Sequence, residues 1–522
     1  MSARGNGAYL GEPRPSTRPR SAVLGELLRD PRAVGDIVAA WAGGKRLRAR
    51  QRFAALIGID HCLTLPAAMV ARLGQESAPP DGFTLIGDAT LVRGAAARIA
   101  QAFAEHPDLQ ALYGDGLVQA RPGAPAYPRL PPVFDAELLM AVDYLGPLAV
   151  RAGALPDPLP RSPVEAAFRI AERHGPGAIG HLPGLLSIER DTAAPERTRA
   201  NRLAAARGHL DRTGREDATT IPEADGVIRV TYPLPETPLV SVIVPTRDRL
   251  DLLRPCLDAL RTRTAWPSLE ILVCDNDSRE PETLAFLEAF AGEGRGVVVP
   301  YPGPFNFAAM NNAAAARARG RLIVFMNNDV EAFRPDWLIA MARHALRPEV
   351  GAVGAKLLDG AGRIQHGGIL LGTGGLVTHG HRHFPGDAPG YLSTLRAAHR
   401  VSAVTAACLM VDAEKFRSVA GFDAEAFPVD FNDVDLCLRL NAAGYRTILA
   451  PEAVLHHREA ASRRWTPEAR ARHEGEVAAF KKRWGPLLTQ DPHYNPGFDP
   501  NLSTHARLAR GFPKAGAVRR PS

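Results

Sequence analysis

Long apolar runs, paired cysteines and glycine-rich phosphate loops are all missing from this chain of 522 residues. No stretch of 18 apolar residues occurs, so no membrane-crossing helix is expected. The nearest approach, Leu138 to Val150, is broken by Asp143 and Pro147. The opening residues, MSARGNGAYLGEPRPSTRPRS, lack the apolar core of a secretory signal. The five cysteines, Cys62, Cys256, Cys274, Cys408 and Cys437, are scattered, odd in number and form no CxxC pair. Buried free thiols in a reducing compartment are therefore expected. Neither GxGxxG after the first strand of the second half nor GxxxxGKS/T anywhere is present, which removes the main support for dinucleotide and P-loop readings.

What is present is the composition of a globular protein, 45% hydrophobic and 23% charged. The net charge of +7 makes an anionic partner plausible, a nucleotide or a phospholipid head group. The basic runs are short and carry no zinc-finger or aromatic RNA-binding signature, so no nucleic acid is expected. The expected location is cytoplasmic, at most peripheral to the inner face of the plasma membrane.

Residues 1–25, rich in Pro, Gly, Ser and Arg, are expected to be disordered. Residues 30–190 alternate helical and strand-like segments, 191–235 form a polar helix and linker, and 236–485 form a second α/β domain. The basic stretch 486–522 is expected as a flexible tail. In the second domain strands such as LVSVIVPT, LEILVCD and RLIVFM alternate with helices, the pattern of a doubly wound, mostly parallel sheet. Ligands of such sheets sit beyond the carboxyl ends of the strands.

Three strand ends turn abruptly polar: Pro245-Thr246-Arg247-Asp248, Asp275-Asn276-Asp277-Ser278 and Asn327-Asn328-Asp329. One polar strand end is usually a helix cap; three in one sheet favour a binding crevice. Asp329 suits a hard divalent cation, which prefers oxygen ligands and shares them with substrate phosphates. Further on, FNDVDLCLRL places Asp433 and Asp435 at a helix start, where the dipole favours anions. Asp435 is read as a local partner of Arg439 at i,i+4, whereas Asp433 precedes the helix body and can face a crevice. His456 and His457 close a strand-like segment and are either structural or ligands.

In order along about residues 236–465, the motifs PLVSVIVPTRDRLDLL, EILVCDNDS, FMNNDVE, GAVGAKLL, VTAACLMV, GFDAEAF and FNDVDLCLRLNAAGYR resemble family 2 glycosyltransferases of the GT-A fold. Among these the chain resembles bacterial rhamnosyltransferases and O-antigen and cell-wall glycan transferases. The resemblance implies that Pro245, Thr246, Arg247 and Asp275 bind the nucleotide, Asp275 through its base, and that Asn311, Asn327 and Asn328 adjoin the nucleotide sugar. Asn327-Asn328-Asp329 stands at the DxD motif, with Asp329 on Mg2+ or Mn2+ and Asn327 a departure from the first Asp. Asp433 matches the general base of the ED motif, preceded by Asn432 in place of Glu. His457, 24 residues later, stands where the resemblance implies a third metal ligand, with His456 its competitor. His366 and Asn432 are acceptor-side candidates; His379, His381 and His383 line the same pocket or are plain loop residues. The implied partners are a UDP- or dTDP-linked sugar, a glycan or lipid-linked acceptor, a peripheral membrane contact and a second copy of the chain.

The first domain reads as a decayed copy of the second. Asp88 lies 19 residues before Pro107 as Asp329 lies 19 before Pro348. Counting back six from Arg439 gives Asp433; counting back six from Arg169 gives Pro163, which cannot be a base. The segment GLLSIER has no histidine where AVLHHRE has two. An inactive unit that scaffolds, dimerises or binds acceptor is expected. Two other readings remain at this point: a non-catalytic sugar-nucleotide-binding scaffold, motivated by NND in place of DxD, and a sugar nucleotidyltransferase, disfavoured because VPTRDRLDLL lacks a glycine-rich loop.

Overall fold

A computed structural model describes residues 31–44, 46–57, 63–76, 82–154, 157–190, 195–458 and 466–521. The expected disordered segment 1–25 and Cys62 lie outside these residues. The chain divides into two compact units, Met1–Thr231 with Asp387–His399 and Gln490–Ser522, and Tyr232–Gly386 with Arg400–Thr489. The division near Tyr232 falls in the proline-rich TYPLPETP stretch. The transfer of Asp387–His399 to the first unit has no local signal in the sequence.

The first unit holds a seven-stranded sheet. Its strands are β1 (Gln75–Glu76), β2 (Phe83–Ile86), β3 (Ala89–Val92), β4 (Ala111–Gln119), β5 (Ala126–Arg129), β6 (Leu148–Arg151) and β7 (Ile179–Arg190). Helices α1 (Ala95–Glu105) and α2 (Pro163–His174) are amphipathic and bury residues such as Ile99, Phe103, Phe168 and Ile170. A hairpin of β8 (Thr219–Pro222) and β9 (Ile228–Thr231) occupies most of the expected linker.

The second unit holds a ten-stranded sheet made largely of β10 (Val240–Thr246), β11 (Leu269–Asp275), β12 (Val297–Pro300), β13 (Leu322–Met326), β14 (Val330–Ala332), β15 (Val350–Leu358) and β16 (Ile364–His366). A small hairpin of β17 (Ile369–Leu371) and β18 (Val377–His379) follows, then β19 (His399–Arg400), β20 (Cys408–Asp412) and β21 (Arg446–His457). β12, β11, β10 and β13 are parallel neighbours in that order. Beyond β13 the sheet becomes mixed, so the expected mostly parallel pattern holds only for the first four strands. Every residue of β10 and β13 is buried, which explains their unbroken apolar runs. Helices α3 (Leu250–Thr262), α4 (Pro281–Gly292), α5 (Phe307–Ala315), α6 (Trp337–Ala345), α7 (Asn432–Ala442) and α8 (Pro467–Trp484) complete this unit.

The two sheets share a five-strand core. In the second unit the order β13-β20-β15-β21-β14 is joined by antiparallel, antiparallel, parallel and antiparallel pairs. In the first unit β2-β6-β4-β7-β3 is joined by the same four kinds of pair in the same order. β5 flanks β4 as β16 flanks β15, and both parallel pairs carry a register shift at mid-strand. Asp88 directly precedes β3 as Asp329 precedes β14, and Glu189 takes the register place of His457. Among the described residues of the first unit, nothing corresponds to β10, β11 and β12.

The C-terminal segment corrects an expectation. It is no loose tail: Tyr494, Asn495, Phe498, Leu502 and Ala506 are buried. The Asn495 amide donates to Asp115 Oδ1 and to the Pro131 carbonyl, each at 2.7 Å. Arg519 and His181 exchange backbone hydrogen bonds at 2.8 and 2.9 Å. The basic count of this stretch conceals aromatic residues that bury apolar area and a guanidinium that Arg519 spends on the Asp491 and Tyr494 carbonyls.

His181 has no exposed surface and sits 3.0 Å from Asp115. Burial holds its imidazole below the ordinary value, outweighing the carboxylate's opposite pull. A folded-state value below the unfolded one means the unfolded chain takes up the proton first as pH falls. The stability His181 contributes is thus present above about pH 6.5 and is lost below it. The melting temperature of His181→Gln should fall less than that of the wild type between about pH 7.5 and about pH 5.5. Equal falls, measured by calorimetry, would show that His181 does not set this dependence.

Candidate functional site

A cleft of about 730 Å³ opens at the carboxyl ends of β10 and β13. Pro245, Thr246 and Arg247 line it from β10, Asn327, Asn328 and Asp329 from the end of β13, and Asn432 and Asp433 from the start of α7. Eight of the residues singled out by sequence thus share one cavity. Asp275, Asn311, His366 and His457 are not part of that lining.

The strand ends are tied by side chains. The Asn328 amide donates to the Thr246 hydroxyl at 3.0 Å, joining the tips of β10 and β13. Asn327 closes a turn, its carbonyl accepting from the Val330 N–H at 3.2 Å, so the NND cluster is a strand-to-strand turn and caps no helix. Asp248 Oδ1 accepts from the N–H groups of Arg279 and Glu280, and its own N–H donates to the Ser278 hydroxyl at 2.7 Å. That hydroxyl in turn donates to Asp275 Oδ1. Asp275 therefore braces the loop after β11. Asn311 is fully buried on α5, its amide donating to the Phe307 carbonyl at 2.8 Å.

Asp329 Oδ1 and His457 Nε2 are 3.1 Å apart. The register pairing of His457 with Val330 brings them together. His456, one residue earlier on the opposite face of β21, lies against the Phe333 ring at 4.5 Å. Two neighbouring ligands of an octahedral cation at about 2.1 Å stand about 3 Å apart, so this pair fits two corners of a Mg2+ or Mn2+ shell. No group of three or more His, Cys, Asp or Glu side chains placed to hold a metal occurs among the described residues. Phosphate oxygens and water would have to complete the shell. His366 is fully buried, its Nδ1 3.3 Å from that of His379, which lines the cleft.

Asp433 is the second residue of α7. The Ala406 N–H donates to its Oδ2 at 3.0 Å and the Val434 N–H to its Oδ1 at 2.8 Å. Burial nevertheless raises the carboxyl above the ordinary carboxylate value, against these bonds and that of the Thr405 hydroxyl. A raised value makes it a stronger proton acceptor. The loop before it is strained: Phe431 has φ 62° and Asp248 and Arg249, across the cleft, have φ 55° and 58°. Such left-handed non-glycine residues cost about 1–3 kcal/mol each and gather at functional sites. Asp435 pairs with Arg439 Nε at 2.7 Å, the i,i+4 contact expected from the sequence.

Sequence reasoning missed Arg249, Phe305, Phe307, Thr405, Ala406 and Arg472 in the lining. Thr405 and Ala406 lay inside a quoted motif, VTAACLMV. Arg472, on the polar helix α8, carried no signal. Cys256, Cys274, Cys408 and Cys437 are buried and free, as expected; burial pushes Cys274 and Cys437 up to about 12.

Residues 241–364 match the family model described as Glycosyl transferase family 2. Over 418 residues the chain is 38% identical to the uncharacterized protein y4gI of Sinorhizobium fredii, covering 76% of this chain and 46% of that protein. Over 428 residues it is 37% identical to the O-antigen biosynthesis protein RfbC of Myxococcus xanthus, covering 78% and 33%. The chain thus spans less than half the length of these curated relatives. A solved mannosyltransferase of Pyrobaculum calidifontis, in complex with GDP-Man and Mn2+, is similar at 19% identity and TM-score 0.36, over 49% of this chain and 69% of that one.

The two aspartates of α7 should separate in a thermal melt. Asp435→Asn breaks a buried ion pair, a loss of about 3–5 kcal/mol, and lowers the melting temperature. Asp433→Asn removes a charge that burial disfavours and raises it. A less stable Asp433 variant beside an unchanged Asp435 variant would reverse the two roles.

Proposed function

This chain carries a glycosyltransferase family 2 domain in residues 241–364, and we propose that it is an inverting transferase that moves a sugar from a nucleoside diphosphate to a hydroxyl of a glycan or lipid-linked glycan. The observation that supports this most is the meeting of Asp433, of raised basicity, with the Asp329–His457 pair at one cleft of a GT-A-type α/β fold.

The cleft divides the work. Thr246 and Asn328 form the floor where the strand tips meet, and the exposed Arg247 brings positive charge to the donor diphosphate, while the neighbouring Arg249 is paired with Asp251. Asp433 faces the acceptor: its carboxylate takes the hydroxyl proton as the oxygen bonds to the anomeric carbon. The bond to the diphosphate oxygen breaks on the opposite face, so the anomeric centre inverts. A divalent cation held by Asp329 and His457 would offset charge on the departing diphosphate. Asn432, buried and bonded through its amide to the Val429 carbonyl, shapes the acceptor side together with His366 and His379.

The donor is proposed to be UDP- or dTDP-linked and the product a cell-envelope glycan, a reading the O-antigen relative supports. No described helix is long and apolar enough to cross a membrane. The first unit is proposed to transfer no sugar. Counted back from Arg169 as Asp433 is from Arg439, the first unit offers Pro163 in place of a base, and the Glu189 carboxylate, at the register place of His457, is engaged by Arg129.

Asp433→Asn should cut transfer by about 10²-fold or more and leave nucleotide binding nearly intact. Turnover within about threefold of wild type would remove Asp433 from the mechanism. Asp329→Ala should abolish the Mn2+-dependent part of nucleoside diphosphate binding, read by calorimetric titration, and His457→Ala should weaken it less. An unchanged Mn2+ response would mean that the 3.1 Å pair is a plain imidazole–carboxylate contact. Asp88→Ala should leave turnover unchanged; a large loss with folding intact would give the first unit a site of its own.

A further inference from the structure

The start of α7 has no side-chain N-cap, and the residue before it, Phe431, holds a left-handed backbone that suits a bulky side chain poorly. Something outside the loop must keep it there. One face of α8 does so. His473, Glu476 and Phe480 follow each other at i, i+3 and i+7, which places them on a single helix face.

Each grips a different part of the loop. His473 Nδ1 lies 3.1 Å from Asp430 Oδ2. Glu476 Oε2 accepts from the N–H of Val429 at 3.2 Å and from the N–H of Asp430. The Phe480 ring stacks on Phe431 with centroids 4.9 Å apart. Phe480 is fully buried and Glu476 is 3% exposed. Glu476 Oε1 faces Arg472 Nε at 3.3 Å, and Arg472 lines the cleft. Glu476 itself is not part of that lining.

We propose that Glu476 is a positioning residue for catalysis: by holding the Val429 and Asp430 amides it sets the loop from which Asp433 reaches the acceptor, and by facing Arg472 it aims a cation into the same cleft. This rests on the reading of Asp433 as the base. A carboxylate suits the task because one oxygen accepts from the loop while the other keeps the negative charge within ion-pair range of the guanidinium. Burial of that carboxylate raises its proton affinity, a cost the two N–H bonds and Arg472 partly offset.

The test compares Glu476→Ala, Glu476→Gln and Asp433→Asn in the full chain, with steady-state kinetics and backbone amide exchange. In Glu476→Ala the loop loses its acceptor, so kcat should fall by about 10²-fold while the donor KM stays within about twofold. The amides of Val429 and Asp430 should exchange faster, with the later turns of α7 unchanged. Glu476→Gln keeps one acceptor oxygen and should recover part of both losses. Unchanged exchange at these amides, or an unchanged kcat in Glu476→Ala beside an inactive Asp433→Asn, overturns the proposal. An active Asp433→Asn overturns the base reading itself, and loop exchange then still reports whether Glu476 holds the loop. Should the Ala variant fail to fold, the Gln variant decides: wild-type kcat with wild-type exchange in a form that has lost the contact to Arg472 excludes its role in aiming that cation, and a fall in kcat at unchanged donor KM supports it.

Discussion

A carboxylate with no exposed surface, Asp435, fixes the half of the site that carries Asp433. Left alone, a charge so buried would cost several kcal/mol. Here it receives Arg439 at 2.7 Å, Arg483 at 2.8 Å and the Trp484 indole N–H at 3.0 Å. Arg439 lies one turn further along α7, while Arg483 and Trp484 close α8, so one residue binds the two helices together. Arg439 also donates to the carbonyls of Val419 and Gly421, and Arg483 reaches Asp423 at 2.8 Å. With the end of α8 locked, its earlier turns are held over the loop at Val429–Phe431. The position of Asp433 is thus inherited from an ion network two residues away that performs no chemistry itself.

The other half of the site depends on parallel strands ending side by side. β10 pairs with β11 and β13 in register, so their polar ends meet at one edge. Backbone groups freed where the ladder stops need partners. Thr246, Asp248, Asp275, Ser278 and Asn328 supply them to one another and to the neighbouring loops. An amide serves here as well as an acid, which gives a physical reason for Asn328, whose side chain bridges the strands, while Asn327 closes the turn through its backbone carbonyl. Asp329 is left as the single carboxylate of that turn.

Local periodicity made the strand-helix alternation, the polar strand ends and the Asp435–Arg439 pair legible in the sequence. The spacing from Asp88 to Pro107 and from Asp329 to Pro348 pointed to a repeat, and the two sheets share a five-strand order. What stayed hidden acts over distance. Glu476 meets Val429 and Asp430 from 47 and 46 residues away, and α8 looks polar throughout because three inward residues in a helix of 18 leave a faint pattern. The C-terminal segment failed for a different reason. Its charge was counted, while Tyr494, Asn495 and Phe498, the residues that bury it, are too few to form a period. The choice between His456 and His457 needed the strand pairing that places only one of them beside Asp329.

The repeat also shows how a shared topology can serve different ends. Both units bend the strand beside their long parallel partner, β4 at Asp115 and β15 at Lys356. In the first unit Asp115 turns inward and is fully engaged, by the Gly184 N–H at 2.6 Å, the Asn495 amide at 2.7 Å and His181 at 3.0 Å. Glu189 is similarly taken up by Arg129 and the Ser187 hydroxyl. In the second unit the carboxylates at the strand and helix ends open on a cleft, and burial raises the proton affinity of Asp433 because its protein partners do not fully compensate its charge. A carboxylate satisfied by its own chain has little left to offer a ligand. The contrast between Asp115 and Glu189, engaged by their own chain, and Asp433, whose burial its partners do not fully offset, is the physical ground for the proposal that the second unit alone transfers sugar.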